Sequence, residues 1–134
     1  MENLVRYCKN APTNVNEYND CISDIKKTLK SQLETFKLIN DKDEKISIHT
    51  KIRKIYNLLL LYEKKGDAFP LVRPLMASIC SRTNKNNEFF YSVYHFLEKQ
   101  VGDCNTKEDF SKVVSFFKQY YAFFCVIFVE YKKN

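Results

Sequence analysis

Between Val15 and Leu38 the apolar residues Tyr18, Ile22, Ile25, Leu29, Leu33 and Phe36 recur at spacings of three and four. That spacing lays one apolar face along an α-helix and does not fit a strand, whose side chains alternate with a period of two. The same rhythm runs through most of the chain, and only two glycines and three prolines interrupt its 134 residues. An all-β fold needs more turn formers than this, while 45% hydrophobic and 15% aromatic residues exceed what a disordered chain carries. The sequence therefore predicts an all-α fold, a single-domain bundle of about five helices over residues 1–134, with 1–14 as a flexible N-terminal tail.

The first helix runs from Val15 to Leu38. Asn40 to Lys45 has no apolar residue and reads as a loop, after which Ser47 or Thr50 caps a second helix that reaches about Lys65 and stops at Gly66. Pro70 suits the first turn of a third helix, with Leu71, Leu75, Met76, Ile79 and Cys80 buried and an end near Arg82. Thr83 to Asn87 is a turn. A fourth helix follows to Val101 and Gly102, and Thr106, with Asp109 three residues on, opens a fifth that extends to about Tyr131. The aromatic and β-branched run from Tyr121 to Val129 leaves a strand open as the alternative for that last segment.

Several function classes are excluded at this level. Two glycines cannot build a phosphate-cradling loop, and there is no C-x-x-C motif. His49 and His95 lie far apart, so neither a zinc site nor any other cofactor is expected. Cys80 sits on an apolar helix face as a small core residue, and His95, between Tyr94 and Phe96, reads as a half-buried packing residue. The carboxylates Glu108 and Asp109 suit the start of a helix. The chain is expected not to be an enzyme. Met1 to Asn14 does not resemble a signal peptide, and the longest apolar run, Tyr120 to Val129, is too short to span a bilayer. Five cysteines at irregular spacing and no N-x-S/T acceptor fit reduced thiols in a cytoplasmic protein with no membrane partner.

Charge is distributed unevenly. Residues 1–50 carry eight basic and eight acidic side chains, and residues 86–134 carry six of each. The segment between them holds Lys51, Arg53, Lys54, Lys64, Lys65, Arg73, Arg82 and Lys85 against only Glu63 and Asp67, an excess equal to the whole net charge of +6. A basic stripe confined to two consecutive elements is the footprint of a phosphate-backbone binder; the alternative is a solvated surface that keeps the chain in solution. On a wheel started at Lys51, Ile48, Ile52, Ile55, Tyr56 and Leu59 fill an arc of about 100°, while Arg53, Lys54, Asn57 and Lys64 fall between about 200° and 300°. Leu58 and Leu61 belong cleanly to neither face and mark a second packing surface.

Three segments carry a family likeness. Thr50-Lys51-Ile52-Arg53-Lys54-Ile55-Tyr56 resembles the helix start [ST]-x-I-R-x-[IL] of the small α-helical subunit of type III-A CRISPR-Cas effector complexes, the Csm complexes. Arg73-Pro74-Leu75-Met76-Ala77-Ser78-Ile79-Cys80-Ser81-Arg82 is similar to that family's R-P-x-L-A-Y-x-A-G-R segment, with Ser78 in place of the aromatic and Ser81 in place of the glycine. Phe116-Phe117-Lys118-Gln119-Tyr120-Tyr121-Ala122-Phe123 resembles its C-terminal helix, with Lys118 and Gln119 where the family has Glu-Ala.

The resemblance implies a non-catalytic, all-α subunit that lines a ribonucleoprotein in several copies, touching CRISPR RNA and target RNA, other Csm subunits and copies of itself. Carried over by position, Arg53, Arg73 and Arg82 match the family's arginines, and Lys51 and Lys54 flank the first. With Lys64 from the stripe, the expected RNA-binding set is Lys51, Arg53, Lys54, Lys64, Arg73 and Arg82. Arg73 and Arg82 stand about 180° apart on a wheel, so both reach one strand only if the third helix ends or bends before Arg82. A second function class stays open: a helical-bundle interaction module, for example a viral modulator that binds a partner helix in a groove.

Overall fold

The computed structural model describes residues 1–38, 42–83 and 87–133, with side chains through residue 128. Six α-helices follow in order: α1 (Val5–Lys9), α2 (Val15–Lys37), α3 (Lys42–Glu63), α4 (Val72–Ser81), α5 (Glu88–Gly102) and α6 (Lys107–Lys133). Short 3-10 segments precede α1 (Glu2–Leu4) and α4 (Gly66–Leu71). No strand occurs among the described residues. The fold is all-helical, and the Tyr121 to Val129 run lies within α6.

Five of the six helices are those the apolar spacing predicts. The sixth, α1, falls within the expected N-terminal tail, where Leu4, Tyr7 and Cys8 are buried and α1 packs against α6. Three apolar contacts hold this short helix, which is too brief to show a period of its own. The second helix also departs from expectation. α3 begins at Lys42, so the predicted loop contributes its first turn, with Asp43 and Glu44 set against the positive end of the helix dipole. Thr50 lies inside it, its hydroxyl donating to the Ile46 carbonyl at 3.1 Å. Gly66, with φ of +59°, supplies the left-handed turn that ends α3. Pro70 belongs to the 3-10 segment, while Pro74 occupies the first turn of α4, where no backbone donor is missed.

The remaining caps follow ordinary chemistry. Asn14 accepts from the Glu17 amide at 2.9 Å and Asn87 from the Phe90 amide at 3.0 Å. Thr106 accepts from the Asp109 amide while the Asp109 carboxylate accepts from the Asn105 amide, both at 3.1 Å. These satisfy donors that each helix start leaves open.

α6 is the central element and packs against α1, α2, α3 and α5. It contributes Phe110, Val114, Phe117, Tyr120, Phe124 and Phe128 to one hydrophobic cluster with Phe36 of α2, Ile52 and Ile55 of α3, Met76 of α4 and Phe90 of α5. Phe36, Phe89, Phe124 and Phe128 interlock with ring centroids 4.5 to 5.9 Å apart, in the range where aromatic pairs add to simple area burial. The buried Tyr120 hydroxyl on this helix is satisfied, donating to Gln32 at 2.6 Å. Cys80 is in the core, and all five cysteines are unbridged.

Candidate nucleic-acid interface

α3 buries Ile48, Ile52, Ile55 and Leu59 in one row, which forces the opposite face into solvent. Arg53, Lys54 and Asn57 are exposed there, and Lys64, just past the end of the helix, is exposed as well. The Lys54 and Lys64 ammonium groups meet no acceptor, carboxylate or ring among the described residues. Arg53 lies beside the Tyr121 hydroxyl, whose pKa is raised chiefly by burial and is held back by this cation. Tyr121 in turn stacks on Tyr56 of α3, 4.4 Å between centroids, so the α3–α6 seam fixes the base of the Arg53 side chain. Two apolar residues interrupt the stripe: Ile46 is 52% exposed and Leu61 49%.

The other three predicted residues have different surroundings. Lys51 is half-buried and donates from Nζ to the carbonyl of Arg82 at 2.9 Å, so it ties α3 to the open C-terminal end of α4. A cation at that position satisfies a carbonyl that the helix leaves free. Arg82 is the C-cap of α4, and its exposed side chain has no partner among the described residues. The helix ends at Ser81, and the Lys51 contact brings Arg82 next to α3, while Arg73 does not join it there. Arg73 lies on the flank of α4 that faces α5. Its Nε and Nη2 both donate to Glu98 Oε1, at 2.9 and 2.5 Å. Glu98 holds the guanidinium in its charged form, raising the pKa of Arg73 further.

The structure thus brings Lys51, Arg53, Lys54, Lys64 and Arg82 onto α3 and its junction with α4, and places Arg73 with α5 instead. Lys85 of the same charge window lies outside the described residues. The Arg73–Glu98 pair joins residues 25 apart in sequence and leaves no local signal. The aromatic edge of α5 is a second feature that periodicity does not single out: Tyr91 and His95 stack at 5.9 Å, and Tyr94 packs on His95 at 5.2 Å. His95 is exposed rather than half-buried, because Phe96 and Leu97 take the inward positions of that turn.

A different group of charges closes on itself at the other end of the molecule. Asp24 of α2 accepts from Arg6 at 2.7 Å and from the Tyr7 hydroxyl at 2.5 Å, and Arg6 also reaches that hydroxyl. Burial and the bond to Asp24 push the Tyr7 hydroxyl up to about 12, while the bonds from Tyr7 and then Arg6 hold the Asp24 carboxyl below its ordinary value.

No group of three or more potential metal ligands converges among the described residues, and none of their helices is long and apolar enough to cross a membrane. Fold and site together define an all-helical protein with a solvent-facing basic stripe on one long helix. No protein-family model, curated protein or solved structure matches the chain.

Proposed function

We propose that the protein is a non-catalytic RNA-binding subunit of a type III-A CRISPR ribonucleoprotein, contacting the guide and target strands through α3 and the end of α4. The observation that carries the reading is the state of the cations: among the described residues Lys54, Lys64 and Arg82 are exposed and unpaired, and Arg53 meets only a tyrosine hydroxyl, with no acid on that face of α3. Exposed lysines elsewhere, Lys30 and Lys99 for example, are also without a partner among the described residues; what sets this group apart is that α3 carries no acid from Ile46 to Tyr62. Cations left on one face without acid neighbours attract a phosphate backbone, which they read without regard to sequence. The resemblance of residues 48–125 to the Csm small subunit falls on the same elements and supports neighbouring Csm subunits and further copies of this chain as partners. The cytoplasm is the compartment this reading requires.

Lys51 and Arg73 take smaller parts in this reading than sequence alone assigns them, since each already has a partner within the fold. The second reading, a module that binds a protein helix, draws support from Ile46 and Leu61, exposed on the same arc as the cations. Charge reversal separates the two. Arg53→Glu with Lys54→Glu is expected to weaken binding of single-stranded RNA at least tenfold, because each phosphate contact is a charge-assisted hydrogen bond. Lys27→Glu with Lys30→Glu on α2 makes the same change in net charge away from the stripe. Equal loss in both pairs would reduce the effect to bulk charge. No loss in either, with Leu58→Asp and Leu61→Asp abolishing capture of a protein partner, would favour the interaction module.

A further inference from the structure

The Arg73–Glu98 pair is built in an unusual way. Both donors of Arg73 fall on the same carboxylate oxygen, Oε1, at 2.9 and 2.5 Å. Among the described residues Oε2 accepts nothing and Nη1 donates nothing. The pair therefore keeps an open donor, Nη1, on the side of the guanidinium away from Oε1, and an open acceptor, Oε2. Gly102 leaves room for it: a Cβ at that position would stand 3.2 Å from Nη2 and 3.3 Å from Cζ, so the guanidinium would have to move by a few tenths of an ångström.

The pair forms one side of an open groove between α4 and α5, of about 430 Å³, whose other lining residues are Pro70, Pro74, Ala77 and Tyr94. Prolines and alanine give it a low apolar wall, and Tyr94 gives it an aromatic ring. The ring continues into an aromatic edge, since Tyr94 packs on the exposed His95 and His95 stacks on Tyr91. A flat ligand with an apolar face and a donor–acceptor edge fits this combination. The groove is open rather than enclosed, so a flat ligand lying in it is covered on one face only.

We propose that this groove receives one unstacked base of a single-stranded RNA, with Tyr94 as the stacking surface and the Arg73–Glu98 pair hydrogen-bonded to the edge of the base. The inference rests on RNA being the ligand of the basic stripe, and it gives Arg73 a role other than phosphate contact. Every RNA base carries both donors and acceptors on its edges, so an open Nη1 or an open Oε2 finds a partner on all four and binding stays indifferent to sequence. Stacking on an aromatic side chain is likewise sequence-tolerant. α4 links the two surfaces in sequence, with Arg73, Pro74 and Ala77 in the groove and Arg82 at its C-terminal end.

The test uses the full chain and a ten-nucleotide RNA with 2-aminopurine at its centre, alongside the same strand with an abasic site at that position. Wild-type protein is expected to quench the 2-aminopurine and to bind the abasic strand about tenfold more weakly, the effect of losing one base stack. Tyr94→Leu should abolish quenching and bring the two affinities together, and Tyr94→Phe should retain both. Glu98→Ala removes the acceptor and frees Arg73. It is expected to lower the ratio between the two strands, whereas a phosphate-binding Arg73 would tighten both equally and leave the ratio unchanged. Should Tyr94→Leu fail to fold by circular dichroism, the abasic comparison on wild-type protein decides. Equal affinity for both strands, with no quenching, overturns the proposal even if Arg53→Glu with Lys54→Glu abolishes binding. Quenching that depends on Tyr94 but survives that double change upholds the groove and removes the stripe. Adenosine monophosphate displacing the strand at a concentration equal to the strand's own affinity would make this a free-nucleotide site and overturn the assignment to RNA.

Discussion

α2 and α3 are nearly the same helix on the inside and different helices on the outside. They have 23 and 22 residues, and each buries a row of four: Cys21, Ile25, Leu29 and Phe36 in α2, and Ile48, Ile52, Ile55 and Leu59 in α3. The solvent face of α2 interleaves acids with bases, and its Asp24 is locked to Arg6 and Tyr7 of the N-terminal segment. From Ile46 to Tyr62, α3 carries no acid at all, and the cations Arg53 and Lys54 stand outward. The buried rows secure the fold in both cases. The outer face is under no such constraint, so its charge pattern is free to differ between the two helices without cost to the fold.

The largest effects should be the ones that do not distinguish the two helices. Leu29→Ala and Ile52→Ala remove fully buried side chains from α2 and α3, and each is expected to cost about 2 to 5 kcal/mol in denaturant unfolding. A markedly smaller cost for Ile52 would mean that α3 is held less firmly than α2 and would break the comparison at its base. A smaller effect separates them. Asp24→Asn takes the ionised acceptor from Tyr7 and Arg6 and is expected to lower stability by about 1 kcal/mol at neutral pH. Because folding depresses the Asp24 pKa, its contribution is complete above the ordinary carboxylate value of about 4 and fades as the pH falls below it, so the variant should lose part of the acid dependence of unfolding. The smallest change is expected for Arg53→Gln with Lys54→Gln, within about 0.5 kcal/mol of wild type by the same measurement, as for exposed side chains that support nothing else.

Helix positions are legible in the sequence wherever a helix is long enough to repeat its apolar face, as in α2, α5 and α6. Gly66, Thr106 and Asn14 mark their termini by side-chain or backbone chemistry that is local. Two features escape such reasoning. α1 has a single turn and a half, and its burial of Leu4, Tyr7 and Cys8 depends on where α6 passes. The start of α3 looks like a loop because Lys42 to Lys45 is wholly charged, yet acids in a first turn favour a helix. The stripe is legible because charge counting and the helical wheel are also local. What they cannot show is which cation the fold already uses: Lys51 is occupied by the Arg82 carbonyl and Arg73 by Glu98, contacts between residues 31 and 25 apart.

The phosphate contacts proposed for the cations of α3 and the α4 terminus can be counted from the salt dependence of RNA affinity. With Arg53, Lys54, Lys64 and Arg82 engaged on a single strand, the logarithm of the association constant should fall against the logarithm of salt concentration with a slope of about −3, from roughly 0.7 per contact. Replacing Arg53 and Lys54 by Gln should bring it to about −1.5, while the corresponding change at Lys27 and Lys30 should leave it near −3. A slope that is flat, or one that shifts equally in the α2 and α3 variants, would contradict the account.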